Sequence, residues 1–193
     1  MQNEPIIIVS GLPRSGTSMM MSMLVAGGIP AMTDAIRTAD EDNPRGYFEL
    51  EKVKELAKDT TWLAEAGGHA VKIISALLKH LPGDYHYKVI FMRRAMREVL
   101  ASQRQMLRRR GEPTDTVSDE RMAEMFRKHL VEVESWLAKQ PNIEVIYTNY
   151  NAMLDAPAAP IQTINTFLGG KLDIAAMSAV VDKTLHRQRA GGF

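Results

Sequence analysis

The chain of 193 residues contains no cysteine. Disulfides, thiolate nucleophiles, Cys-ligated zinc and iron–sulfur clusters are thereby excluded. A surplus of one charge is missing too: 24 Lys and Arg face 23 Asp and Glu, a net charge of +1. That balance gives no basis for general nucleic-acid binding. No apolar run is long enough to span a bilayer, since residues 19–29 are few and interrupted by Gly27 and Gly28. The N-terminus enters an apolar strand-like run without a basic leader or a cleavage pattern, so the expected location is cytoplasmic and reducing. Repeats, low-complexity tracts and domain boundaries are also lacking. One domain over residues 1–193 is expected, with 45% hydrophobic residues to build its core.

What the chain does have begins at Ile6-Ile7-Ile8-Val9, a β-branched run that reads as a buried parallel strand. Ser10-Gly11-Leu12-Pro13-Arg14-Ser15-Gly16-Thr17-Ser18 follows, and residues 19–24 read as a helix. Amide groups gathered at a helix start after a glycine-rich turn form an electropositive cup for phosphate. Gly11 and Gly16 keep the G-x-x-x-x-G spacing, and Ser18 takes the usual Ser/Thr place. Thr17, however, stands where a nucleotidase loop carries lysine. The cation has moved to Arg14, inside the turn.

Further strands are expected at 70–74, 88–92 and 142–147. Helices are expected at about 48–65, along Met96, Val99, Leu100, Gln103, Met106 and Leu107, along Met122, Met125, Phe126, Leu130, Val133 and Leu137, and along Ile161, Ile164, Phe167 and Leu168. Residues 31–46 are expected to form a polar loop, and Met19, Met20, Met21 and Met23 to pack the first helix. The segment 122–137 suits a core or a second copy of the chain equally, leaving a homo-oligomer open. Alternation of strand and helix gives an α/β fold: a parallel β-sheet flanked by helices, a P-loop NTPase-like three-layer sandwich. The ligand is expected beyond the carboxyl ends of the strands, beside the loop at Gly11 and the pair Arg93-Arg94. The strand ends at Ile74, Met92 and Tyr147 run into Ser75, Arg93 and Thr148, with no aspartate to help hold magnesium. The five histidines show no metal-ligand spacing. A cationic, metal-free site is expected.

Pro13-Arg14-Ser15-Gly16-Thr17-Ser18 resembles the 5′-phosphosulfate loop of the sulfotransferase family, in the arginine-bearing form of tyrosylprotein and many bacterial members. Residues 89–94 with Ser102 resemble the family's 3′-phosphate motif, a strand ending in arginine with serine eight residues on. Ala95-Met96 replaces the motif's usual Asn-Pro. Asn43-Pro44-Arg45-Gly46-Tyr47-Phe48-Glu49 is similar to a stretch common in bacterial members. The resemblance implies 3′-phosphoadenylyl sulfate (PAPS) as donor and a small-molecule or carbohydrate hydroxyl or amine as acceptor. It implies that Pro13, Arg14, Ser15, Gly16, Thr17 and Ser18 bind the 5′ end, with Arg94 and Ser102 on the 3′-phosphate.

Cytosolic members carry Lys-Thr-His after the second strand; here Lys72 fits the lysine, but Ile74 occupies the histidine position. In tyrosylprotein and bacterial members a glutamate after the first helix is the base, and Asp34, Glu41, Asp42 and Glu49 are the candidates here. Arg189-Ala190-Gly191 is a faint counterpart of the C-terminal Arg-Lys-Gly element. Other readings stay open: Arg94 as an exposed helix-start cation, Glu49 as a helix-start acid favoured by the dipole, Asp34 as a capping residue, and Lys72 as a sheet-edge lysine. For the whole chain, a kinase-like nucleotide enzyme with an altered loop and a donor-binding protein without turnover are the alternatives.

Overall fold

The computed structural model describes residues 4–34, 36, 46–114 and 116–182. The strands β1 (Ile6–Gly11), β2 (Ala70–Lys72), β3 (Tyr87–Arg93) and β4 (Ile143–Asn149) form one parallel sheet in the order β2-β1-β3-β4. All six residues of β1 are buried because it lies between two neighbours and is covered on both faces. Alternation along the pleat divides its side chains. Ile7 and Val9, with Ala70, Ile90 and Met92, face α1 (Thr17–Ala26), α4 (Tyr150–Asp155), α5 (Ala158–Phe167) and α6 (Ile174–Val180). Ile6, Ile8, Val71, Val89 and Phe91 face Trp62, Leu63 and the end of α3 (Asp119–Leu137). The result is the expected three layers. The helix α2 (Met96–Arg109) follows β3 directly. Met20, Met21 and Met23 are wholly buried, as the first helix requires.

Several elements depart from the sequence expectation. The helix expected at 48–65 is two separate 3₁₀ turns, Glu51–Glu55 and Thr61–Glu65. Asp59 breaks it: its carboxylate accepts from the Thr61 amide at 2.9 Å and the Thr61 hydroxyl at 2.7 Å, a side-chain turn that competes with helix. The apolar side chains still reach the core, which is why their spacing read as helical. β2 stops at Lys72, although the Ile73 amide still donates to Val9. β4 runs on through Thr148 to Asn149, whose side chain accepts from the Asn151 and Ala152 amides and starts α4. In α3 the Ser118 hydroxyl caps the first turn. Met125, expected on the apolar face, is 55% exposed, and Val131 is 69% exposed. Among the described residues, no helix is long and apolar enough to cross a membrane.

The turn after β2, Ser75–His80, packs on α3 through a 2.8 Å hydrogen bond between the buried Ser75 hydroxyl and His129 Nε2. Burial holds the His129 imidazole below the usual histidine range, and the Lys79 ammonium adds to this, while Glu132 opposes it. A lowered folded-state value means that the unfolded chain takes up the proton first. Stability is full above the unfolded value, near 6.5, and falls as pH drops from there toward the folded value. Thermal melts between pH 7.5 and 5.5 should show the midpoint declining. His129→Gln should make that decline shallower; an identical slope in both proteins would remove His129 as its source.

Candidate functional site

The chain leaves β1 through two glycines that only glycine fits. At Gly11 (φ 143) a Cβ would lie 2.5 Å from the Met92 carbonyl and 2.6 Å from the Ser15 hydroxyl. At Gly16 (φ 98) it would lie 2.3 Å from the Tyr150 ring. Between them Arg14 itself adopts φ 69, a left-handed conformation uncommon outside glycine. The Ser15 amide closes the turn on the Leu12 carbonyl at 3.2 Å. Gly16 then caps α1 with no side-chain cap and no acidic residue in the first turn. The first amides of a helix have no partner within it, so those of Thr17 and Ser18 are placed for an anion. The buried hydroxyls of Ser10 and Ser15 have no hydrogen-bond partner either.

Two arginines meet at this loop. Arg14 Nε donates to Ser102 Oγ at 2.9 Å. Arg94 Nη1 donates to the Arg14 carbonyl at 3.0 Å, and its Nε donates to Glu98 Oε2 at 2.9 Å. With side chains 7% and 2% exposed, Arg94 and Glu98 form a buried ion pair. This removes the reading of Arg94 as an exposed helix-start cation. The guanidinium also lies 4.4 Å from the Tyr150 ring centre, the same ring that blocks a side chain at Gly16. Asn151 Nδ2 donates to Glu98 Oε1 at 2.9 Å. Burial pushes the Tyr150 hydroxyl up, with Arg94 opposing and Glu98 reinforcing. Glu98, Tyr150 and Asn151 were not among the sequence candidates. The one local signal was the spacing of Arg94 and Glu98 by four residues at a helix start.

The second group lies one strand over. Lys72 pairs in register with Val9, just before the loop. Its ammonium donates to the Tyr47 carbonyl and lies 3.6 Å from Glu49 Oε1. Lys72 is therefore a paired, largely buried cation. Glu49 belongs to an irregular segment before the turn at Glu51, which corrects its expected place at a helix start. Its carbonyl accepts from the Thr33 hydroxyl and the Asp34 amide. Phe48 just before it has φ 50, a strained value for an aromatic residue.

Asp34 is used differently. Its two carboxylate oxygens accept from the backbone of Glu51 at 2.6 Å and of Ile36 at 3.1 Å. Those two amides, Glu51 first, hold its carboxyl below the usual range. Glu41, Asp42, the stretch 43–45 and residues 189–191 lie outside the described residues. Arg104 is paired with Asp119, and Arg93 with Glu134 at 2.7 Å. Among the described residues, no group of three or more His, Asp or Glu side chains is arranged to hold a metal.

A family model described as the sulfotransferase domain matches residues 4–189. The chain belongs to this family. Among solved structures, a mouse sulfotransferase complexed with PAP is 17% identical with a TM-score of 0.59, covering 100% of this chain and 69% of that one. A sulfotransferase from Alicyclobacillus acidocaldarius is 15% identical with a TM-score of 0.52, covering 97% and 98% of the two chains. Retinol dehydratase, in complex with androsterone and the inactive cofactor PAP, is 18% identical with a TM-score of 0.51. That match covers 91% of this chain but only 62% of the dehydratase. At such identities the likeness is one of fold. No curated protein matches the chain.

The close approach of Tyr150 to Gly16 makes that glycine a sensitive probe. Gly16→Ala should disturb the loop and weaken binding of 3′-phosphoadenosine 5′-phosphate (PAP) by tenfold or more, about 1.4 kcal/mol per factor of ten. Calorimetric titration checks this, and unchanged affinity would place the ligand elsewhere.

Proposed function

We propose that the chain binds PAPS and transfers its sulfuryl group to a hydroxyl or amine of a small-molecule or carbohydrate acceptor. The observation that carries this reading is the meeting of Arg14, Arg94 and Ser102 at a glycine-built loop whose cap is left to an anion. The fit to a donor with two anionic ends rests on that cradle. A Cβ at Gly11 or Gly16 has no room, and the Ser15 hydroxyl beside Gly11 has no protein partner. Pro13, Ser15, Gly16, Thr17 and Ser18 would hold the 5′ end, while Arg94 and Ser102 would hold the 3′-phosphate. Arg94 Nε and Nη1 already donate to Glu98 and Arg14, so its contact with phosphate would be made from Nη2.

When bound, the donor supplies an activated sulfuryl group on a phosphate oxygen. Arg14 acts where negative charge grows on the departing bridging oxygen, together with the amides after it. Donors fixed in place at that point favour the transition state over the ground state. Arg14 reaches Ser102 in this structure, so the two ends of the cradle are in direct contact.

On the acceptor side Glu49 is the best-placed of the described acids. Lys72 lies 3.6 Å from its carboxylate, which would accept a proton from an acceptor within hydrogen-bond reach. Asp34 is a weaker base because two backbone amides already stabilise its charged form.

A second reading, donor binding without turnover, draws on the same pair, since a carboxylate engaged by lysine is less available to an acceptor. A magnesium-dependent phosphoryl transferase is less well supported. β2, β3 and β4 end in Lys72, Arg93 and Asn149, with no carboxylate among them.

Calorimetry should show PAP binding tighter than ADP, with magnesium having no strengthening effect; ADP preference with a magnesium gain would favour the kinase-like reading. A radiolabelled-sulfate screen over phenols, aliphatic alcohols, amines and monosaccharides separates the first two readings. Arg14→Ala should lower transfer by about 10²–10³-fold, the usual scale for losing one transition-state donor. Glu49→Gln should lower turnover while leaving PAP affinity nearly unchanged. A Glu49→Gln protein as active as the parent would remove Glu49 as the base.

A further inference from the structure

The left-handed turn at Arg14 (φ 69) is an uncommon state for a residue with a side chain. Such a state persists where the surroundings over-determine it. Here the surroundings can be followed outward. The Arg14 carbonyl accepts from Arg94 Nη1. The plane of the Arg94 guanidinium is fixed by Glu98 Oε2 at its Nε and by the Tyr150 ring at its face. Glu98 is in turn fixed by Asn151, on the first turn of the helix that follows β4. The chain of contacts therefore runs from the end of β4, through the first turn of α2 and the end of β3, to the backbone of the loop.

We infer that Glu98 is a positioning residue for sulfuryl transfer, acting through Arg94 on the backbone of Arg14 to aim the Arg14 side chain. The inference rests on the reading of Arg14 as the group at the leaving oxygen. Glu98 is too deeply buried to meet either substrate. Its charge is what keeps Arg94 in place. A neutral residue would leave a buried guanidinium without a counter-charge, and the Arg94 fork would turn away from the Arg14 carbonyl toward water or phosphate. The loop would then relax from its left-handed turn and the Arg14 side chain would swing off its line. Glu98 thus governs the direction of the Arg14 cation through Arg94.

The test uses the full chain with Glu98→Gln, and Asn151→Ala as the milder variant should the first not fold. Without nucleotide, amide hydrogen exchange in residues 12–17 should quicken about tenfold while β1 and β3 keep their protection, as local opening requires. With radiolabelled PAPS, sulfate release to water should drop in kcat by about 10- to 100-fold, and the donor KM should rise as well, because Arg94 is also the group assigned to the 3′-phosphate. In an Arg14→Ala background, Glu98→Gln should add less than about a twofold further loss in kcat, because the two act on that step in series. Asn151→Ala should move each readout the same way by a smaller amount. Unchanged loop exchange, or an equal loss with and without Arg14, overturns the inference. Failure of the parent protein to bind PAP would sink the functional reading instead, and the exchange measurement would still decide the role of Glu98.

Discussion

Arg94 is held between a buried carboxylate and the carbonyl of Arg14, and the geometry of the loop follows from that one pair. Removing one partner from a buried ion pair typically costs about 3–5 kcal/mol, so the arrangement is stiff. Its value to the molecule is placement more than net stability, since two matched apolar residues can often replace such a pair without loss. Three segments distant in sequence, at residues 14, 94–98 and 150–151, are brought together by it.

The sheet makes this convergence possible. Parallel pairing of β1 with β2 and β3 puts every strand's carboxyl end at one edge. Lys72 then stands beside Val9 on one side, and Met92 pairs with Gly11 on the other. Burial on both faces fixes register, because a slip of one residue would turn each apolar side chain to the wrong layer. The core thus sets where Arg14, Arg94 and Lys72 begin, and local contacts set where their side chains finish.

The loop was legible in the sequence because its signals are local: a continuous β-branched run, two glycines at fixed spacing and a helix start directly after them. The long helix α3 was legible for its periodicity, while its Ser118 cap came only with the structure. The break at Asp59 was not, since Val53, Leu56 and Leu63 keep the same apolar spacing in 3₁₀ turns as in a helix. The helices α4 and α6, with 6 and 7 residues, are too short for a periodic signal. Arg94 was found through its strand end and Lys72 through its place in β2. The contacts of Asn151 with Glu98 and of Glu49 with Lys72 could be assigned only after the strands had been ordered, because they join parts of the chain up to 53 residues apart.

Tyr150 carries two loads at once: its ring lies under Gly16 and against the Arg94 guanidinium. Evolutionary drift at either neighbour is therefore constrained through a shared aromatic wall. A lineage that enlarged residue 16 would have to shrink residue 150, and in doing so would strip the arginine of its stacking surface. The glycine is confined as much by the far end of β4 as by the turn in which it sits.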